Sequence, residues 1–122
     1  MKQEFIIGDI VMYKNRIHTI IDILASNGYE LCYVRHPVSP VRLSGVPLTP
    51  EILEKNGWKD DGYDWYRLPI KRAYLYITKD MTTLGEFLVC VGLDRHNLAS
   101  ISFVHQLQHL LFGLGLNSEM EV

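Results

Sequence analysis

The segment FVHQLQHLLFGLGL, residues 103–116, is the only stretch of this chain with a sustained helical period, and it comes last. At about 100° per residue, Phe103, Val104, Leu107, Leu110, Leu111 and Leu114 fall on one side, the spacing of a helix that buries a stripe. Ser102 suits the N-cap, since its hydroxyl can accept an amide hydrogen bond from the first turn. Gly113 and Gly115 are natural stops. A helix of about 11–13 residues is only marginally stable in water, so the rest of the chain must give it a surface to dock on.

Most of what precedes it reads as short strands. Residues 5–46 form a compact β unit. A Gly8-Asp9 turn leads into the apolar run Ile10–Tyr13. Lys14-Asn15-Arg16 is a polar turn, and Ile17–Leu24 is a β-branched strand with Ile17, Thr19, Ile21 and Ile23 on one face. Asn27-Gly28 is a hairpin signal because both positions tolerate positive φ. Tyr29–Arg35 returns as a strand with Tyr29, Leu31 and Tyr33 on one side. Pro37 and Pro40 interrupt pairing, and Val41-Arg42-Leu43 suits a short closing strand. This order of turns and strands resembles small SH3-like barrels, a fold that carries no single function.

Residues 47–57 predict a linking helix. Thr49 is its N-cap, Pro50 fills the first helical position, and Glu51 complements the helix dipole. Asn56-Gly57 ends it, and Trp58 should fold back on Leu53. Asp61-Gly62 is a hairpin turn joining Trp58-Lys59 to Tyr63–Leu68. Apolar runs at Ala73–Ile77 and Glu86–Val91, turn residues at Lys79–Thr83 and a short strand near Leu98–Ile101 complete a β-meander over residues 58–101. The expectation is a single α+β domain over residues 1–122: an SH3-like barrel or meander, a short helix, and an antiparallel sheet of about three or four strands carrying the amphipathic helix of residues 102–116 on one face.

Composition narrows the class. The chain has 122 residues, enough for a real core, and is 48% hydrophobic and 21% charged, as globular proteins are. Its formal net charge of −2 is spread evenly. Residues 1–61 hold seven Lys/Arg against eight Asp/Glu, and residues 62–122 hold five against six. Neither half is a basic footprint, which disfavours nucleic acid as a partner. Met1-Lys2-Gln3-Glu4 leads into a short mixed segment rather than a signal peptide, and no run is long and apolar enough to span a membrane. Cys32 and Cys90 fall outside any C-x-x-C spacing and suit free, buried thiols in a reducing cytoplasm.

Four features suggest chemistry. His105-Gln106-Leu107-Gln108-His109 has the histidine spacing of the zinc motif H-E-x-x-H, and residues at i and i+4 share a helix face. However, Gln106 stands where the general-base glutamate belongs, and no third ligand is signalled. Both histidines lie off the leucine stripe, on a side expected to be solvated. Leu107-Gln108-His109-Leu110-Leu111 also matches the L-x-x-L-L pattern of groove-binding helices, but core packing accounts for those leucines. Phe112 shares the histidine side, where an aromatic suggests a second contact surface. Finally, Trp58, Tyr63, Trp65, Tyr66, Tyr74 and Tyr76 are interleaved with Arg67, Lys71 and Arg72. Such a hairpin can stack single-stranded bases, or simply bury one aromatic face.

The stretches PLTPEILEKNGW (47–58) and FVHQLQHLLFGL (103–114), with Gly8-Asp9-Ile10-Val11 near the start, resemble a family of small uncharacterised proteins. These are encoded in prophage-like and other mobile elements of Bacteroides-type gut bacteria. The resemblance spans most of the chain. It implies that the His105 position recurs as Val-His-x-Leu-Gln and that His109 is often asparagine, which weakens a two-histidine zinc site. It implies no activity. No Ser/His/Asp, phosphate-loop or dinucleotide fingerprint is present. The expectation is a cytoplasmic, non-enzymatic interaction module without a cofactor. It would bind a protein partner, or itself, through His105, His109 and Phe112 or through Trp65 and Arg67. The alternatives are nucleic-acid binding by the aromatic hairpin and, more remotely, a metal-dependent hydrolase using His105 and His109.

Overall fold

A computed structural model describes residues 5–25, 28–71, 73–79, 85–92, 94 and 96–122. The expected turns at Asn27 and at 80–83, and the expected contribution of Arg72, lie outside those residues. The chain forms two compact units, Met1–Pro47 with Phe103–Met120, and Leu48–Ser102 with Glu121–Val122. The fold is α+β, with two antiparallel sheets and few helices.

In the first unit, β1 (Ile10–Tyr13), β2 (Arg16–Ile23), β3 (Tyr29–Leu31) and β4 (Ser44–Gly45) form a sheet in the order β3-β2-β1-β4. The β1–β2 hairpin turns at Lys14-Asn15, both at positive φ. Among the described residues the strands do not close into a barrel; the sheet is open. The proposed closing strand at Val41–Leu43 is instead a 3₁₀ turn at Pro40–Arg42, with β4 just after it. The third strand stops at Leu31 because the chain turns at Cys32-Tyr33, and Tyr33, at positive φ, is thrown into solvent.

The core of this unit gathers Phe5, Val11, Tyr13, Ile20, Tyr29, Leu31, Val38 and Leu43. Burial therefore falls on the opposite face of β2 from the isoleucine row. Ile20 is buried, whereas Ile17, Ile21 and Ile23 are exposed. Pairing registers Ile20 with Leu31, which directs that alternate set inward.

The closing helix, α2 (Val104–Gly113), belongs to this first unit and not, as the sequence suggested, to the later sheet. Its N-cap is Phe103 rather than Ser102, and Gln106 Oε1 accepts from the Phe103 amide at 3.1 Å. Val104, Leu107 and Leu111 are buried, joined by His105 and Gln108, while Leu114 is exposed. The buried stripe is thus rotated toward the polar side. Leu116 N donates to Leu111 O and Gly115 N to Phe112 O, closing the helix in a Schellman ending. Phe103 and His105 lie directly over Gly45 of β4. A Cβ there would be 2.6 Å from Phe103 Cγ and 3.0 Å from His105 Cε1, so the approach requires glycine.

In the second unit, α1 (Pro50–Lys55) keeps the predicted punctuation. Thr49 Oγ1 accepts from Ile52 N at 3.2 Å, Gly57 is at φ +88°, and Trp58 N donates to Leu53 O at 3.1 Å. Five strands rather than three or four follow in sequential order: β5 (Lys59–Gly62), β6 (Trp65–Ile70), β7 (Ala73–Lys79), β8 (Phe87–Val91) and β9 (His96–Ile101). The first hairpin turns at Tyr63-Asp64, two positions after the predicted Asp61-Gly62, because Asp61 is the extra residue of a bulge. Leu98 plays the same part in β9. Both edge strands of this sheet are therefore bulged, a device that discourages further strand pairing.

Candidate functional site

The sequence candidates separate by unit. His105, His109 and Phe112 stand on α2 in the first unit; Trp65 and Arg67 stand on β6 in the second.

His105 is buried, and His109, about one-third exposed, is tied to a buried carboxylate. His105 is only 3% exposed. Its ring meets Phe5 at 4.9 Å, stacks on Phe103 at 5.8 Å and meets His109 edge-on at 5.7 Å. Burial holds its imidazole below the ordinary value; the Asp9 carboxylate pulls the other way, and His109 adds to the lowering.

Asp9, which the sequence showed only as half of a turn, is the centre of the site. It is 1% exposed, and its Oδ2 accepts from Ile6 N at 2.8 Å and from His109 Nε2 at 2.7 Å. That length suits a charge-assisted bond between imidazole and carboxylate. A buried carboxylate must be compensated, and the backbone amide and the imidazole do this together.

Gln108 completes the arrangement. Its Oε1 accepts from Ile10 N at 2.9 Å, and its Nε2 donates to Gly8 O at 2.9 Å and to Ser118 O at 3.2 Å. Bonding the carbonyl of residue 8 and the amide of residue 10 is the pattern a neighbouring parallel strand would make across residue 9. The carboxamide can do this because it carries both a donor and an acceptor. Gly8-Asp9-Ile10 is therefore clamped from α2 by Gln108 and His109. Chemically, this set of groups holds a strand to a helix. Among the described residues, no three His, Cys, Asp or Glu side chains gather as a metal-binding group, and Gln106 at the zinc motif's glutamate position contacts the Phe103 amide.

Beside the clamp lies a cavity of about 380 Å³ lined by Ile6, Ile7, Ile23 and Phe112, with Asp9, Gln108 and Glu119 among its polar neighbours. Phe112 is 67% exposed and Ile7 59%. Neither histidine lines it.

In the second unit, Trp65 meets Tyr76 edge-on at 6.3 Å, and the Arg67 guanidinium lies 5.3 Å from the centre of the Tyr74 ring. Arg67 also pairs with Asp61 at 3.5 Å. Tyr66 points to the other face, where burial raises its phenol pKa, helped by Glu54, Asp60, Glu51 and Asp64.

Cys32 is half-buried and Cys90 buried; neither forms a disulfide, and Cys90 Sγ contacts Asn97 Oδ1 at 3.1 Å. Among the described residues, no helix is long and apolar enough to cross a membrane. No protein-family model, curated protein or solved structure matches the chain. The resemblance to mobile-element proteins gains no support from these comparisons.

Proposed function

We propose that this chain is a non-enzymatic interaction module that binds another protein through the groove headed by Phe112. The observation that carries the proposal is the exposure of Phe112 beside Ile6, Ile7 and Ile23 around one cavity. An aromatic and three aliphatic side chains grouped on a surface mark a contact site more often than scattered single residues do. Phe112 is about two-thirds exposed, so covering its ring stabilises a complex by about 1–2 kcal/mol. The clamp behind the groove supports the same reading. Gln108 and His109 fix the segment that carries Ile6 and Ile7, so the surface is organised before a partner arrives.

The histidines enter this proposal as framework, and Phe112 as the contact. The proposal includes a cytoplasmic setting and an accessory role in a phage-like or mobile element, which neighbouring genes for replication, packaging or defence would test.

The binding claim is tested by sedimentation velocity over a wide concentration range, together with affinity capture from the native host. Wild-type protein is compared with Phe112→Ser and Ile7→Ser. Self-association or capture of a defined partner, lost in both variants, is the expected result. A wild-type chain that stays monomeric and captures nothing that Phe112→Ser fails to capture would overturn the proposal.

A further inference from the structure

The second unit carries a separate surface whose side chains sort by charge. Residues paired directly across antiparallel strands share a face. Arg67 of β6 is opposite Lys59 of β5 on one side and Tyr76 of β7 on the other. Pro69 is opposite Tyr74, and Trp65 lies two residues from Arg67 on the same alternation. Lys59, Trp65, Arg67, Tyr74 and Tyr76 therefore occupy one face. Lys71 extends it, lining with Pro69, Tyr74, Tyr76 and Gly92 a cavity of about 510 Å³.

Like charges directly opposite each other destabilise a sheet, yet Lys59 faces Arg67. Of the acids of the same hairpin, Asp60 lies on the other face. Asp60 is paired with Tyr66, and with Glu51, Glu54 and Asp64 it raises the Tyr66 phenol pKa. Among the described residues near the basic face, Asp61 pairs with Arg67, and the Asp94 carboxylate lies beside Gly92. Tyr74 is 40% exposed, and the guanidinium over its ring offers a second planar surface. A flat, anionic, extended ligand matches three cations spread among aromatic rings.

We propose that the face formed by Lys59, Arg67 and Lys71 with Trp65 and Tyr74, over the buried Tyr76, binds single-stranded nucleic acid. Bases stack on Tyr74, Arg67 and Trp65, and phosphates meet the three cations. Stacking tolerates any base, so the site has little sequence preference. Duplex binds worse because its bases are already stacked. The overall charge of −2 is no obstacle to a local site, but it keeps the affinity modest and dependent on salt.

The test is fluorescence anisotropy with a labelled oligothymidylate across a salt series. Three phosphate contacts predict that log K falls against log salt with a slope of about −2. Tyr74→Ala is expected to weaken binding by about 5- to 150-fold, the range for loss of one stacking platform. Lys71→Glu changes an exposed residue beside β6, so it leaves the fold intact, and it is expected to weaken binding and flatten the slope. Three results would each overturn the proposal: no binding at low salt, binding indifferent to both variants, or inorganic polyphosphate competing on equal terms with the oligonucleotide. The last would mean charge attraction without stacking.

Discussion

Replacing Gln108 by methionine isolates what the carboxamide does, because the side-chain length is kept while both polar functions go. Gln108 is 4% exposed, and its three hydrogen bonds go to Ile10 N, Gly8 O and Ser118 O. Ile10 is itself buried, so its amide would be left without a partner and without water. An orphaned buried donor costs about 1–3 kcal/mol. Gly8 is exposed, so its carbonyl can be rehydrated, and Ser118 is half-buried, so the two carbonyls together add about 1 kcal/mol at most. The expected loss is about 1–4 kcal/mol, a large fraction of the roughly 5–15 kcal/mol that holds a small protein together. Urea unfolding of the variant should show a lower midpoint at an unchanged m-value. Hydrogen exchange should show the Ile10 amide losing protection more than those of Val11 and Met12, which lie further along β1. If Gln108→Met stays within about 0.5 kcal/mol of wild type, the range of an ordinary surface change, the clamp does not stabilise the fold as argued.

Three further outcomes follow from other parts of the structure. Gly45→Ala would push a methyl group to 2.6 Å from the Phe103 ring, so it should destabilise the first unit by about 1–3 kcal/mol, read from the thermal midpoint. The Tyr63-Asp64 turn holds two non-glycine residues at positive φ, and Tyr63 is 99% exposed, so Tyr63→Asn with Asp64→Gly should raise stability by about 1–2 kcal/mol in urea titration. Burial lowers the His105 pKa, so the unfolded chain binds a proton more readily than the folded one. The stability it contributes is complete above the ordinary imidazole value of 6.5 and falls as pH drops below it, by at most about 1.4 kcal/mol per pH unit for one proton. His105→Phe should flatten that slope between neutral and mildly acid pH, and an unchanged slope would remove His105 as its source.

What could be read from the residues alone was local. Thr49, Pro50 and Gly57 act through bonds to residues a few positions away, so the ends of α1 were legible, as were Lys14-Asn15 as a turn and Ala73–Ile77 as a strand. Two features were illegible for physical reasons. The face of β2 that is buried depends on its registry with β3, and the apolar alternation Ile17, Ile21, Ile23 pointed the wrong way because the strand carries apolar residues on both faces. The partner of α2 was also hidden. Its leucine stripe would suit any apolar sheet, and proximity along the chain favoured β5–β9. The side chains that tie α2 to the N-terminal strands are polar, so a pattern of hydrophobic periodicity gives them no weight.

This inversion bears on how the site should be understood. His105 and His109 drew attention as a ligand pair on an outward face, yet the residues on that side are what the fold uses to hold its first strand. Asp9 satisfies His109 and the Ile6 amide, and Gln108 satisfies Gly8 and Ile10; both bridges span about a hundred positions of sequence. Once those polar groups are committed to each other, Phe112 is the residue of the histidine side left facing solvent, one turn beyond the clamp and beside Ile6 and Ile7. The segment that the clamp fixes is the one that carries those isoleucines. Loosening it by Gln108→Met should therefore weaken any partner held by Phe112 even though Gln108 offers that partner little surface. An equal loss of partner binding in Gln108→Met and Phe112→Ser would tie the buried clamp to the exposed groove. Binding untouched by Gln108→Met in a chain that still folds would separate them.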